Sequence, residues 1–238
     1  VIGMVGRLSG QKGLDLVECV LNEIMATGAQ LVVLGMGESK YVDLFSWAQW
    51  KYPGQVAARF QMNEALAHRI YAGCDLFLMP SMFEPCGLSQ MIALRYGTLP
   101  IARETGGLRD TVLSYNEFTG EGNGFTFLNY NAHDMLHVIE RAVHMYHDDR
   151  ATFNFLAKRA MQGLYGWDQS AQQYLNLYRD LTGIFESPAP VVESAAEPAP
   201  AVESAPEKPK KPRTPRKKKE DAPAEKKPRA PRKKKTEE

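Results

Sequence analysis

The chain has 238 residues, with 29 Lys and Arg against 28 Asp and Glu and a formal net charge of +1. Its longest apolar runs fall far short of the roughly 20 residues needed to cross a bilayer, so no membrane partner is expected. No basic leader with a cleavage site opens the chain at Val1, so no signal peptide is expected either. Cys19, Cys74 and Cys86 are scattered and odd in number, which points to a reducing, cytoplasmic setting.

The small net charge hides two unlike parts. Residues 186–238 hold 15 of the 29 basic residues, 10 of the 28 acidic ones and 11 of the 15 prolines, a net of +5 that leaves −4 for residues 1–185. A stretch so poor in apolar groups cannot offset the entropy of ordering, so 186–238 is expected to be a disordered tail, Pro/Ala/Glu-rich and then Lys/Arg-rich. About 185 residues suffice for one domain with a full core.

Within residues 1–185, short apolar runs alternate with helical stretches. Val1–Gly6 reads as a strand. In the following "GRLSGQKGLDL", Arg7 ends the strand, and Lys12 stands at or just before the first turn of a helix. Leu14, Val17, Leu21 and Ile24, at three- and four-residue spacing, give that helix one apolar face. Gln30–Leu34, Val56–Phe60 and Asp75–Pro80 are the next strands. In "PSMFEPCGLSQ", residues 80–90, Glu84 sits on the turn, Pro85 stiffens it and Gly87 removes a side chain. A helix from about Leu88 then starts with Leu88, Met91 and Ile92, and Gly97 stops it. Thr98–Ala102 is the fifth strand, where Pro100 is tolerated only near a strand's edge or start. "ETGGLRDTV", residues 104–112, again joins a strand end to glycines and a helix start, and Gly124–Leu128 is a weaker sixth strand.

Buried strands alternating with helices predict a doubly wound parallel sheet, Rossmann-like, covered on both faces. Ligands in this class bind beyond the carboxyl ends of the strands, where all three loops fall. A guanidinium with forked donors beside a mobile ammonium suits a diphosphate. A helix N-terminus favours an anion through its dipole and free N–H groups. Glu84 can accept hydrogen bonds from hydroxyls. Each feature also has a plainer reading: solvated cations, a carboxylate complementing a helix start, an ordinary Gly-Gly turn. Together they describe a site for a nucleotide diphosphate joined to something rich in hydroxyls. The P-loop spacing is absent.

"GRLSGQKGLDL", "LVVLGMGE", "YPGQV", "PSMFEPCGLSQMIALRYGTLPI", "TGGLRDTV" and "GWDQSAQQYLNLY" resemble, in order and over about residues 1–180, the bacterial glycogen synthase and plant starch synthase family. The pair "FEPCGL" and "GGLRDTV" is the most specific part. The resemblance implies a retaining hexosyltransferase of GT-B fold that moves glucose from ADP-glucose to the non-reducing end of an α-1,4-glucan. It implies that residues 1–185 are the C-terminal, donor-binding domain. The N-terminal domain, with much of the acceptor groove, would then be missing, leaving the chain inactive alone.

By the same resemblance, Arg7 and Lys12 would hold the ADP pyrophosphate and stabilise the leaving group. Amides of Cys86, Gly87, Leu88 and Ser89 would contact glucose hydroxyls and phosphate, and Glu84 would lie at the glucosyl unit. Gly106, Gly107 and Leu108 would close the far side. No metal or other cofactor is implied. This chain has Met62 where the family usually places a tyrosine against adenine, and Ile92 where many broader GT-B relatives carry a second carboxylate. Bacterial glycogen synthases resemble this chain in lacking that second carboxylate. The alternatives are another GT-B enzyme with a different nucleotide sugar, or a protein dominated by its tail.

Four features compete. "HDMLH", residues 133–137, lacks the glutamate of a metalloprotease helix and reads better as a packed amphipathic helix with exposed histidines. Cys86 has no histidine placed to activate it as a nucleophile. Trp47, Trp50 and Tyr52 could stack on sugars, but core or surface packing is the more economical reading. The tail's duplicated PR[TA]PRKKK unit suits phosphate backbones through counterion release, so nucleic acid is a candidate partner there. An anionic surface, another protein partner or simple solubilisation fits it equally.

Overall fold

A computed structural model describes residues 1–184; the expectations made for the tail lie outside the described residues. Six strands form one sheet: β1 (Ile2–Val5), β2 (Leu31–Leu34), β3 (Val56–Arg59), β4 (Leu76–Met79), β5 (Leu99–Arg103) and β6 (Phe125–Phe127). Their order is β3-β2-β1-β4-β5-β6, and every pairing is parallel. This is the doubly wound arrangement, in which the chain direction across the sheet reverses between β1 and β4 and leaves a crevice at their carboxyl ends.

The connections carry α1 (Leu14–Cys19), α2 (Leu21–Ala26), α3 (Ser39–Lys51), α4 (Glu64–Gly73), α5 (Ser89–Tyr96) and α6 (Gly106–Thr111). After β6 come α7 (Ala132–Asp148), α8 (Arg150–Met161) and α9 (Trp167–Thr182). The larger core packs α1, α2, α3, α7 and α8 on one face through Val17, Phe45, Ile139 and Leu156. The smaller core packs Tyr71, Ala93 and Leu108 against Phe77 and Ala102. Sheet faces covered on both sides explain why β4 reads as an unbroken apolar run, buried at all four positions.

All six strands fall within one residue of the expected positions. The first helix differs: the stripe Leu14, Val17, Leu21 and Ile24 is buried, but the backbone breaks at Val20. Val20 sits at the margin of that stripe, and the break carries it fully inside. Pro100 is the second residue of the interior strand β5. Its neighbour Leu99 donates to Asp75 O (3.0 Å), so the proline nitrogen turns toward β6 just ahead of the first β5–β6 pair, Ile101 with Phe125. No ladder bond is lost there. In α7, Met135, Leu136, Ile139 and Val143 are buried and all four histidines are exposed, the amphipathic arrangement expected. Among the described residues, no helix is long and apolar enough to cross a membrane, and no group of three or more His, Cys, Asp or Glu gathers to hold a metal.

Candidate functional site

The loop after β1 runs over the end of β4. Gly10–Lys12 form a single 3-10 turn, and Gly13 closes it with φ +72°. A Cβ on Gly13 would stand 1.9 Å from Pro80 O, so only glycine lets the turn lie this close to the next strand end. The loop after β4 is then sewn to it. Met82 N–H donates to Gln11 O (2.9 Å), and Gln11 Nε2 donates to Phe83 O (3.2 Å). Lys12 Nζ forms an ion pair with Glu84 Oε2.

That pair ties the loop after β1 to the loop after β4. Glu84 is only 8 % exposed, yet its Oε2 also accepts from Ser81 Oγ at 3.2 Å. A carboxylate taken out of water is tolerable only with such partners. Its other oxygen, Oε1, makes no hydrogen bond among the described residues. The amide N–H groups of Cys86, Gly87, Leu88 and Ser89 also find no acceptor among the described residues, at the first turn of α5. Ser89 Oγ accepts from the Tyr71 hydroxyl at 3.1 Å, and burial raises the Tyr71 phenol above its usual range.

The third loop rests on the second, backbone to backbone. A Cβ on Gly106, where φ is +45°, would lie 2.1 Å from Glu84 O; one on Gly107 would lie 2.4 Å from Cys86 O. Gly107 N–H donates to Pro85 O at 3.1 Å. The sequence suggested that these glycines bare backbone toward a ligand; here they admit a neighbouring loop. Leu108 is fully buried in the smaller core, so only its backbone faces the loop region.

Arg7, Lys12, Ser81 and Ser89 line one hollow of about 220 Å³ between the ends of β1 and β4. Arg7, exposed and without an acidic partner among the described residues, also lines an adjoining cleft of about 660 Å³. That cleft runs past Gly35 and Met36 to Gln61 and Met62. The structure thus brings Arg7, Lys12 and Ser89 onto one hollow and joins Glu84 to it through Lys12, while Cys86, Gly87, Gly106 and Gly107 line neither cavity and Leu88 lines another beside Tyr96 and Tyr165. Met62 stands at the far end, 89 % exposed.

Sequence reasoning missed several parts. Gln11 lay inside a quoted motif, but nothing in its type announced that it would bridge two loops. Arg103 ends β5 at the carboxyl edge of the sheet, a position that could have drawn notice. Its Nη1 donates to Met82 O (2.7 Å), and its guanidinium lies 5.4 Å from the Tyr130 ring centre. Tyr130 in turn donates to Asp15 Oδ1 at 2.6 Å; burial, then that hydrogen bond, push its phenol far above the usual range. Gln90 is a fully buried amide on the first turn of α5, a burial that its residue type did not announce. Trp47 and Trp50 are exposed, with the Lys51 ammonium 4.7 Å from the Trp47 ring centre, so they pack on the surface of α3 and take no part in this site.

A parallel sheet of this order, with a cation-lined crevice at its switch point, defines a Rossmann-like ligand-binding domain. The chain belongs to the glycosyl transferases group 1 family, whose sequence model matches residues 1–158. Glycogen synthases of Bacillus cereus and Clostridium acetobutylicum are 58 % identical over 181 residues and 56 % identical over 178. These matches take in 76 % and 75 % of this chain but only 38 % and 37 % of those proteins' own length. The catalytic domain of starch synthase IV from Arabidopsis thaliana, solved with ADP and acarbose, superposes with a TM-score of 0.69 at 37 % identity, over 75 % of this chain and 38 % of that one. Sucrose-phosphate synthase from Thermosynechococcus elongatus, 22 % identical, shares the fold with a TM-score of 0.57, over 76 % of this chain and 45 % of that one. The resemblance to the glycogen and starch synthases therefore holds over the region expected.

Proposed function

We propose that residues 1–184 form the donor-binding domain of a glycogen or starch synthase, a retaining enzyme that moves glucose from ADP-glucose to the non-reducing end of an α-1,4-glucan. The observation that carries this reading is the shared hollow. Arg7 and Lys12 face it from one loop and Ser89 from the helix tip opposite, and Arg7 continues it into a cleft wide enough for a nucleoside.

In this reading, Arg7 and Lys12 hold the diphosphate. They stabilise the charge that develops on it as the bond between glucose C1 and the phosphate oxygen breaks. Amides of Cys86–Ser89 share that charge and meet sugar hydroxyls. Glu84 Oε1, left free by the ion pair, accepts a hydroxyl of the glucosyl unit, while Gly106, Gly107 and the backbone of Leu108 close the far side. The base lies toward Met62. The identity to glycogen synthases supports the assignment, and ADP in the Arabidopsis enzyme supports the nucleotide. The glucan acceptor would need the part of the enzyme that this chain does not span.

Titration calorimetry with ADP, UDP and GDP tests the reading. Preferential ADP binding is expected, with no glucan elongation by this chain alone. A preference for UDP or GDP would favour a second reading, a transferase using another nucleotide sugar; the exposed Met62 in place of an aromatic residue is the observation on its side. Binding of none of the three would overturn both readings.

A further inference from the structure

Gln90 is the second residue of α5, and its side chain is fully buried beneath the turn that precedes the helix. Its Nε2 lies 3.0 Å from Cys86 O, 2.9 Å from Gly87 O and 3.1 Å from Thr111 Oγ1. Thr111 Oγ1 donates to Gly107 O at 2.6 Å, so its hydrogen is committed and its lone pair faces Gln90. Two carbonyls and a hydroxyl lone pair thus converge on one NH₂ group. The reverse orientation of the amide would set three acceptors against a fourth, so the chemistry fixes which end is which. The other end, Oε1, is buried and has no partner among the described residues. It fills the space beside Gly87, where a Cβ would come within 2.5 Å of it. An apolar residue here would fill the space but leave the Cys86 and Gly87 carbonyls without this donor, so the amide serves the turn at the cost of its own unpaired Oε1.

The consequence follows from the planarity of the peptide bond. In a trans peptide, the C=O and the following N–H point in opposite directions. Drawing Cys86 O and Gly87 O inward turns the N–H groups of Gly87 and Leu88 outward, and both are without an acceptor among the described residues. Gly87 at φ +77° followed by Leu88 in the right-handed region is the alternation that makes successive N–H groups converge on an anion. Through Thr111, the same amide ties this turn to the Gly106–Gly107 loop.

We infer that Gln90 is a positioning residue. It does not touch substrate, but it holds two peptide donors aimed at the phosphate of a nucleotide sugar and locks the second loop to the third. This deepens the reading proposed above and rests on it. The test compares the 238-residue chain with Gln90→Met, which keeps length and loses the NH₂, by calorimetry with ADP, inorganic pyrophosphate and adenosine. We expect ADP and pyrophosphate affinities to fall about tenfold, and adenosine affinity to stay within twofold, since only the phosphate ligands use the aimed donors. Equal loss for ADP and adenosine would mean general loosening and would overturn the inference, as would unchanged ADP affinity. A parent chain that binds neither ADP nor pyrophosphate would defeat the nucleotide reading and this inference with it. A parent chain that binds both, beside a variant that binds them equally well, defeats Gln90's role alone. If Gln90→Met does not fold, Thr111→Val, which removes the bridging hydroxyl at nearly constant shape, is expected to show the same selective loss at two- to fivefold.

Discussion

Lys12 and Glu84, 72 positions apart in sequence, form an ion pair across the crevice between β1 and β4. The ammonium proposed for the diphosphate and the carboxylate proposed for the sugar therefore hold one another before any ligand arrives. Arg7, the other cation of the hollow, has no acidic partner among the described residues.

The two cations should thus respond differently to removal. Arg7→Ala is expected to weaken ADP binding about tenfold and leave the melting temperature unchanged, because the side chain is exposed and has no acidic partner among the described residues. Lys12→Ala should weaken ADP to a similar degree and also destabilise the fold, because it strands Glu84 in a poorly hydrated position. A fully buried pair broken this way loses about 3–5 kcal/mol, and with Lys12 partly exposed we expect roughly 1–2 kcal/mol. Adding Glu84→Gln to Lys12→Ala should restore much of that stability but not the affinity. Thermal melts alongside calorimetry check both halves, and unchanged ADP affinity in both single variants would refute the assignment of the cations.

The glycines of the third loop are expected to matter for stability first and for ligand second. Gly106→Ala adds a methyl 2.1 Å from Glu84 O at a backbone angle that L residues rarely adopt. Such a strained site costs on the order of 1–3 kcal/mol before any clash is counted. Gly73→Ala is the control: nothing among the described residues lies within 4 Å of its Cβ position, at the end of α4. It should be neutral or stabilising by up to about 1 kcal/mol. Urea denaturation of the two variants separates these outcomes.

The fold was legible because strands buried at most positions announce themselves as apolar runs and helices as stripes; β3, which alternates buried and exposed residues, was read from its short apolar run as well. The break at Val20 was not legible, since no glycine or proline marks it and tertiary burial decides it. Of the candidate site, the residues with distinctive chemistry could be read: Arg7, Lys12 and Glu84 stand out by type at strand ends. Residues that act through their shape or their partners could not. Gln11 and Arg103 bond to backbone carbonyls of a distant loop, Gln90 joins the carbonyls of its own turn to the Thr111 hydroxyl, and no local pattern encodes which loop folds against which. The reason for Gly106 and Gly107 was hidden in the same way, because the atoms they accommodate belong to residues 84–86.

In the proposed reading the nucleotide base lies toward Met62. A thioether adapts to a purine face, but an 89 % exposed one gives a weak platform. Met62→Tyr places an aromatic ring at the same lip of the cleft. Offset stacking contributes about 0.5–1.5 kcal/mol, so ADP affinity should rise two- to tenfold. Inorganic pyrophosphate, with no base, should bind as before. Parallel titrations decide it, and an equal gain for pyrophosphate would show that residue 62 acts on the phosphates instead.

The three cysteines offer a chemical readout of the same geometry. Cys19 and Cys86 are exposed, whereas Cys74 is half-buried behind β1, and burial pushes its thiol up to about 11. The thiolate is the reactive species, so at pH 8 a maleimide should label Cys19 and Cys86 quickly and Cys74 slowly. Because the folded value lies above the ordinary 9.0, the folded protein holds this proton more tightly than the unfolded chain does. Its share of stability is complete below about pH 9 and is lost as pH rises toward 11. Unfolding followed from pH 8 to 11 should therefore show falling stability, and Cys74→Ala should flatten that slope. Cys86 reports on the ligand. Saturating ADP should slow its labelling at least fivefold while Cys19, the last residue of α1 and outside both cavities, keeps its rate; equal protection of both cysteines, or of neither, would place the nucleotide away from the turn at Gly87.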